Sequence, residues 1–309
     1  MGAPAAEPTT RHVQRYTDNL SNLQFALLLS LPVLLFLLLV MGYPMVYALW
    51  LSVHDAQFIF GKMRAEYVGL TNFAQVVSSG EFWHSIWVSV RFTVESVILT
   101  VSTGLALALV MNMKMCCRGL IRTLIILPWA VSLYGTGVMW FYLARGQSGL
   151  ATAIAHALGF ERAVGFISSR FVIEILALAN AWNMAPLVAF FLLANLNTIP
   201  QRLYHLADID RLNVIEKFLH VTLPPLRFTL FVFTAIATVL TLKQFDLVYI
   251  LARGGPGDVS TVTPFLLYDV SFKQLLLGYG SAMSFLLLIL IVGSTLALYF
   301  LWGRREEMR

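Results

Sequence analysis

Charge is scarce in this chain. Of its 309 residues, 21 are Lys or Arg and 16 are Asp or Glu, 12% together, about half the share of an ordinary soluble domain. Hydrophobic residues reach 59% and aromatics 13%. A water-soluble fold of this length would leave large apolar patches uncovered, so the composition excludes one. Cysteine is nearly absent: Cys116 and Cys117 are adjacent, which excludes a disulfide framework and makes no metal site. Their reading is two small apolar residues at a helix end. There is no G-x-x-x-x-G-K-[ST] phosphate loop, so the chain is not its own ATPase. Without H-E-x-x-H, G-x-S-x-G or clustered metal ligands, an enzyme has little support. No internal repeat, low-complexity tract or soluble domain is evident. The net charge of +5 is spread along the chain and does not mark a nucleic-acid binder.

What the chain does have is long apolar runs. A helix crossing the hydrocarbon core takes about 20 mostly apolar residues, and six candidates lie at about 25–52, 85–113, 119–143, 171–195, 228–252 and 279–303. The expected fold is an all-α integral membrane protein of six transmembrane helices. Residues 1–24 are polar and the run after them is too long for a signal-peptide core, so the first span is expected to stay in the mature protein. Pro32 and Pro44 predict kinks within it.

Six spans put both termini on one side. Residues 1–24, the loop near 114–118, the loop at 196–227 and the tail at 304–309, with Arg122, hold 12 of the 21 Lys and Arg; the opposite side holds seven. Short cytoplasmic loops are basic, so both termini are expected inside. On the outside, Gly146–Phe160 has the spacing of a short helix lying on the membrane surface. Ala252–Thr261 breaks the helix before it with Gly and Pro.

The segment Leu203–Leu226 is out of character, polar and charged between two apolar runs. It predicts two short helices joined by a bend. The first follows Pro200 with Leu203, Leu206 and Ala207 on one face. The second, capped by Asp208 or Asp210, carries Leu212, Ile215, Phe218 and Leu219 and is stopped by Pro224 and Pro225. Such an element either rests on lipid headgroups or presents itself to a soluble partner.

This stretch resembles the cytoplasmic signature loop of permease subunits in binding-protein-dependent ABC importers. In the carbohydrate branch that loop runs IP-x-x-L-Y-E-A-A-x-x-D-G-A, followed by I/V-T-L-P. Ile199, Pro200, Leu203, Tyr204, Ala207, Asp208, Ile209 and Asp210 match, and Val221, Thr222, Leu223 and Pro224 follow at the right distance. His205, Leu206 and Arg211 depart from it. Arg211 replaces the Gly that most easily takes a positive φ, so the bend is expected to be made differently or at another angle. AWNMAPLVAFFLLANLNTIP resembles the family's span leading into the loop. KQFDLVYILARGGPGDVST resembles the next span and its outer turn, with Arg253 in place of the usual Thr. RTLIILPWAVS resembles the third-span entry. The resemblance covers about residues 25–305 and implies a type I ABC importer permease domain over 25–303, with a coupling loop at 197–225. Within the branch the segments look closest to the first permease of a trehalose-type disaccharide importer; maltose and glycerol-phosphate types are similar.

The resemblance implies a bacterial cell membrane and a set of partners: a second homologous permease, a pair of ATPase subunits that bind ATP and Mg, and an extracytoplasmic or lipid-anchored sugar-binding protein. This chain itself needs no cofactor. Leu203, Tyr204, His205, Leu206, Ala207, Asp208, Asp210 and Arg211 would carry coupling to the ATPase. Ionisable groups inside spans are costly and therefore suspects for function. Arg91 and Glu95, four apart, share a helix face and can pair; Lys243 and Asp246 lie three apart; Glu174 is placed near water. Sugars need planar hydrogen-bonding groups for hydroxyls and aromatic faces for C–H patches. Lys243, Gln244, Asp246 and Tyr249 in the fifth span, with Asn180, Trp182, Asn183 and Asn195 in the fourth, offer both and are the expected sugar contacts. Trp140 and Tyr142 read as interfacial anchors. The rival reading is a secondary transporter driven by an ion gradient, with the Arg–Glu and Lys–Asp pairs as coupling groups; such folds commonly carry inverted repeats.

Overall fold

The computed structural model describes residues 21–59, 61–113, 117–144 and 171–303, with isolated positions at 149, 153 and 157. The surface helix expected over 146–160, the tail and most of the N-terminal segment lie outside the described residues. Among those described, five helices are long and apolar enough to cross a membrane, or six when the bent pair Arg118–Ala130 and Leu133–Ala144 counts as one span.

The first span combines α1 (Asn22–Leu37), a π-helical turn (Leu38–Gly42) and α2 (Tyr43–Ser52). Ser21 and Gln24 form a capping box at its start, satisfying two otherwise orphaned amides. The chain then makes a hairpin that the sequence reading missed, β1 (His54–Ile59) against β2 (Lys62–Tyr67), turning at Gly61 with φ +75°. After it come α3 (Thr71–Ser78) and the 33-residue α4 (Gly80–Asn112), the second span. The third span is α5 (Arg118–Ala130) and α6 (Leu133–Ala144). The fourth is α7 (Val172–Leu196). The loop holds α8 (Gln201–Ile209) and α9 (Val214–Lys217), then a π-turn (Phe218–Thr222) leads into α10 (Leu223–Leu242). Short helices α11 (Asp246–Leu251) and α12 (Thr263–Tyr268) precede α13 (Leu277–Leu298), the sixth span.

The core is the packing of α4 on α7, the most extensive helix–helix contact in the fold. Along α4, Ser85, Ser89, Thr93, Ser96, Thr100, Gly104 and Ala108 recur at three or four residues and are all buried. Along α7, Ala177, Ala181, Ala185 and Ala189 recur at four and are buried too. Small side chains let two backbones approach closely where lipid gives no hydrophobic drive. Gly104 is the tightest point: a Cβ there would lie 2.8 Å from Val188 and 3.1 Å from the Ala185 carbonyl. A second knot closes the end opposite the α8–α9 loop. The Asn72 amide donates to the Ser52 and His54 carbonyls, each at 2.9 Å, and Gly278 of α13 leaves only 2.1 Å between a Cβ and the His54 oxygen.

Three expectations are corrected. The third span is not one continuous helix over 119–143: its limbs meet at 96°, because α5, with Pro128 in its last turn, ends at Ala130 and Val131 turns extended (ψ 132°). Pro224 and Pro225 do not stop the loop's second helix. That helix runs on into the fifth span through the π-turn, whose widened ring accommodates the amides that proline lacks. The fifth span does not reach 252 unbroken, since α10 ends at Leu242.

Gly104→Val should cost about 1–3 kcal/mol through overpacking at the α4–α7 contact. Gly293→Val, where nothing lies within 4 Å, should be neutral. Thermal unfolding midpoints of the two variants in one detergent check the contrast.

Candidate functional site: the broken span and the loop beneath it

Two features concentrate the polar chemistry. The first is the break in the fifth span. After Leu242 the chain leaves the helix at Lys243 (φ −92°, ψ 6°) and Phe245 (φ −114°) and re-enters it at Asp246. Lys243 and Asp246 flank the break, exposed, and do not pair with each other. Gln244 points inward, 6% exposed, with its Nε2 lacking a hydrogen-bond partner. Asn180 Nδ2 donates to Thr241 Oγ1 at 3.1 Å, fixing the end of α10 against α7. Tyr249 sits in a ring cluster with Phe245 (5.2 Å), Tyr268 (5.5 Å) and Phe265 (6.4 Å).

Beside it lies an aromatic cleft of about 340 Å³ lined by Met139, Trp140, Tyr142, Leu143 and Trp182. Trp140 meets Trp182 edge to face at 6.3 Å. Trp140, Phe245 and Tyr249 rest on the same core cluster, and α11 packs on α6 through Ile250, 3.0 Å from the Cβ position of Gly137. The cleft and the break are therefore neighbours.

The other asparagines are engaged in holding helices. Asn183 Nδ2 donates to the Pro128 carbonyl (2.8 Å), the Val131 carbonyl (2.9 Å) and Thr136 Oγ1 (3.1 Å). It thereby satisfies carbonyls that the broken third span leaves open. Asn195 Nδ2 donates to Thr229 Oγ1, joining α7 to α10. Arg91 bonds Glu95 through Nε at 2.8 Å and Glu174 through Nη2 at 2.5 Å. Glu174, placed near water by the sequence reading and 44% exposed, also completes a triad that ties α4 to α7.

The second feature is the loop. Pro200, extended at ψ 131°, starts α8, and the bend at its end is made by Arg211 itself, φ +56°. Arg211 N bonds the Asp208 carbonyl at 3.1 Å and Leu212 N the Ala207 carbonyl at 3.0 Å, the bond pair of a Schellman cap. The expectation of a different bend is thus corrected: Arg takes the glycine conformation, at a cost of about 1–2 kcal/mol. The cap of the next helix is Asn213, paired reciprocally with Glu216, and not Asp208 or Asp210. Asp208 instead bonds Lys217, and Tyr204 OH lies 3.1 Å from Thr222 Oγ1. These two cross-links brace α8 against α9 and the π-turn. Ala207 is buried, whereas Leu203, Leu206, Ile209, Val214 and Ile215 face outward, the last three 75%, 82% and 69% exposed. His205, Asp210 and Arg211 are exposed among them. Apolar groups outside the spans and without cover mark an interaction surface.

No family profile matches the chain, but individual relatives do. It is 35% identical over 281 residues to the trehalose/maltose transport system permease protein MalF of Thermococcus litoralis, covering 90% of this chain and 92% of that one. The chain belongs to the permease subunits of carbohydrate ABC importers. Such a permease is a transporter subunit, not an enzyme, and holds no cofactor of its own. It is 30% identical over 259 residues to the sulfoquinovosyl glycerol transport system permease protein SmoG of Agrobacterium fabrum, covering 84% of each chain. It is 28% identical over 290 residues to the trehalose transport system permease protein SugA of Mycobacterium tuberculosis, covering 93% of this permease and 90% of that one. The fold matches the crystal structure of a bacterial ABC transporter that imports the acidic polysaccharide alginate, TM-score 0.77 at 19% identity, over 96% of this permease and 99% of that chain.

Arg211→Gly should keep the bend and stabilise the loop by about 1 kcal/mol, read as slower amide exchange at Leu212. The Lys217 ammonium holds the Asp208 carboxyl below its usual range, with His205 adding to the effect. A carboxyl lowered by folding contributes fully above the ordinary carboxylate range near pH 4 and loses that contribution only as pH falls through its lower folded value. Loop protection corrected for intrinsic exchange should therefore be flat from about pH 5.5 to 8 and fall a few-fold in Lys217→Met.

Proposed function

We propose that this permease forms half of the translocation path for a small neutral sugar, a disaccharide of the trehalose or maltose kind, and passes it inward when partner ATPases close. The observation that carries the reading is continuity. Val214–Leu242 is one helical path of 29 residues, about 43 Å at 1.5 Å per residue, with the outward-facing loop at one end and the polar break Lys243–Phe245 at the other. A displacement of the loop is delivered where the sugar would sit. The relatives named for trehalose and maltose transport support the substrate class.

The transient site is built from Lys243, Gln244, Asp246 and Tyr249 at the break and from Trp182 across the cleft. Trp140 and Tyr142 add ring faces, and the amide oxygen of Asn180, whose nitrogen holds Thr241 beside the break, serves as an acceptor. Asn183 is given to the third-span kink, and Asn195, bound to Thr229, lies about 20 Å further along α7, toward the loop. Unwound backbone at such depth is tolerated only where it lines a cavity or is buried in protein. Both termini and the loop lie on the cytoplasmic side of the cell membrane. There the loop, residues 197–225, engages one of two ATP- and Mg-binding subunits through Leu203 to Arg211, with Val214 and Ile215 beside them. A second permease covers the first span, whose most apolar 18-residue window has no buried residue, and a sugar-binding protein delivers substrate outside. A second reading rests on Lys243, a cation without a carboxylate partner among the described residues: a sugar glycoside bearing an anionic group, a class suggested by the relative named for sulfoquinovosyl glycerol transport.

Gentle purification of the tagged chain should bring down a companion permease and an ATPase, and replacing 204–211 by a Gly/Ser linker should release the ATPase. Uptake should survive collapse of ion gradients while ATP is kept; uptake that stops under those conditions would sink the importer mechanism in favour of secondary transport. Tyr249→Ala should lower sugar-stimulated ATP hydrolysis about tenfold or more without changing sugar affinity of the binding protein. Lys243→Gln separates the two substrate readings, since it keeps a hydrogen-bonding group and should lower neutral-sugar uptake only about fivefold, the net loss of one hydrogen bond, while abolishing that of an anionic one.

A further inference from the structure

The start of the third span carries chemistry that neither the sugar path nor the coupling loop uses. Arg118 and Arg122, one turn apart on α5, converge on the end of α4. Arg118 Nε donates to the Met111 carbonyl at 3.1 Å and its Nη2 to the Asn112 carbonyl at 3.5 Å. Arg122 Nη2 reaches the same Met111 oxygen at 3.4 Å. Neither guanidinium pairs with a carboxylate among the described residues. Arg122 Nε is buried and has no hydrogen-bond partner among the described residues. A buried donor left unsatisfied is destabilising, and a charged one more so, so the site is short of an acceptor. Two carbonyl oxygens carry only partial negative charge and leave two full positive charges uncompensated.

The rest of α5 says where that acceptor comes from. None of its residues is buried, and Leu120, Leu124 and Leu127 form an outward stripe, 62%, 55% and 52% exposed. On a membrane helix such a stripe faces hydrocarbon. The arginines and the stripe lie at one membrane face and run from it into the bilayer. That face is the one bearing the Gln201–Thr222 loop, because α4 and α7 run parallel: Arg91 meets Glu174 near their starts and Gly104 meets Ala185 further along.

We propose that Arg118 and Arg122 form a binding site for the phosphate of an anionic phospholipid in the leaflet on the loop side, with its acyl chain along Leu120, Leu124 and Leu127. Basic pockets at the ends of transmembrane helices take up anionic headgroups in this way. The acyl stripe commits the site to a lipid and not to free phosphate. The phosphodiester's single negative charge offsets one of the two guanidinium charges, and its oxygens give Arg122 Nε an acceptor. It also pins the end of α4 to the start of α5.

The test uses the full-length chain with its accompanying subunits, in nanodiscs of phosphatidylcholine with a minor share of phosphatidylglycerol. Lipids retained after gentle extraction are quantified by mass. Phosphatidylglycerol should be enriched over its share in the disc. Arg118→Gln with Arg122→Gln should lower that enrichment by about 30-fold, the effect of two charges near an anionic surface, whereas Arg64→Gln on the hairpin should change nothing. The double variant also removes hydrogen bonds from α4 and can fail to fold. Arg118→Lys with Arg122→Lys, which keeps the charge, should then retain most of the enrichment, and Leu120→Asn with Leu124→Asn should lose it with the arginines intact. Unchanged enrichment in the Gln or the Asn variants overturns the proposal. Displacement by millimolar inorganic phosphate overturns the lipid assignment in favour of a free-anion site.

Discussion

The close approach of α4 and α7 is the constraint on which the other elements depend. Gly104 has no room for even a methyl group beside Val188 and the Ala185 carbonyl, and the small-residue stripes above and below it hold the two backbones together over their length. Once these helices are fixed, one surface of the pair is set. The Arg91 triad then ties the same two helices on the side of Gly104 remote from the loop, where the three half-buried charges compensate one another. Asn180, Asn183 and Asn195 project from α7 at three levels and take hold of α10, the third span and α10 again. Each amide donates to a group that a helix break or a threonine hydroxyl offers. The fold is thus a rigid two-helix spine with the mobile-looking pieces, the bent third span and the broken fifth, attached to it by asparagine.

That arrangement explains how irregular backbone survives at membrane depth. The third span turns through 96° because Pro128 and the extended Val131 interrupt the helical ladder, and the carbonyls so freed would be expensive in lipid. Asn183 accepts that task for two of them and Ser132 Oγ takes the Gly135 amide at 3.1 Å. At the fifth-span break the accounting is less complete: Gln244 Nε2 has no partner among the described residues. An unsatisfied amide at the place where a polar cargo would pass is consistent with a group held ready for a visiting hydroxyl.

The spans, the loop and its family were legible in the sequence because they rest on length, polarity and a matched motif. What was not legible depended on partners distant in sequence. Asn183 looks the same whether it faces a sugar or a kink. The 96° bend shows only as a leucine–proline pair. The alanines and serines of the α4–α7 seam have a four-residue period that a reading for greasy length passes over, and Gly104 is unremarked until Val188 is placed beside it. The hairpin at His54–Tyr67 has too few alternating residues to stand out. Arg211 shows the opposite limit. The missing glycine argued for a different bend, but the two hydrogen bonds of the Schellman cap and the brace from Lys217 to Asp208 hold the turn and oblige the arginine to adopt it.

Whether the loop can work as a lever depends on where it yields. A hinge at Thr222 to Pro225 would let α8 and α9 swing without moving the span, and two consecutive prolines look at first like such a hinge. The geometry opposes this. Thr222 stays helical (φ −83°, ψ −49°), both prolines hold φ near the helical value by their ring, and Tyr204 OH reaches Thr222 itself from the first loop helix. Motion at that joint would break the hydroxyl contact and the Lys217–Asp208 bridge together. The yielding point of the path is therefore its far end, Lys243 to Phe245, where the helix is already open and the outer limb α11 is held separately against α6. Under the proposed mechanism, a force applied at Ile209 or Val214 and carried along α10 would change the angle at the break and so widen or close the polar gap between Lys243 and Asp246. The same discontinuity that exposes the candidate sugar contacts is thus the place where the helical path Val214–Leu242 ends, so the proposed mechanism would put binding and gating on three residues of backbone.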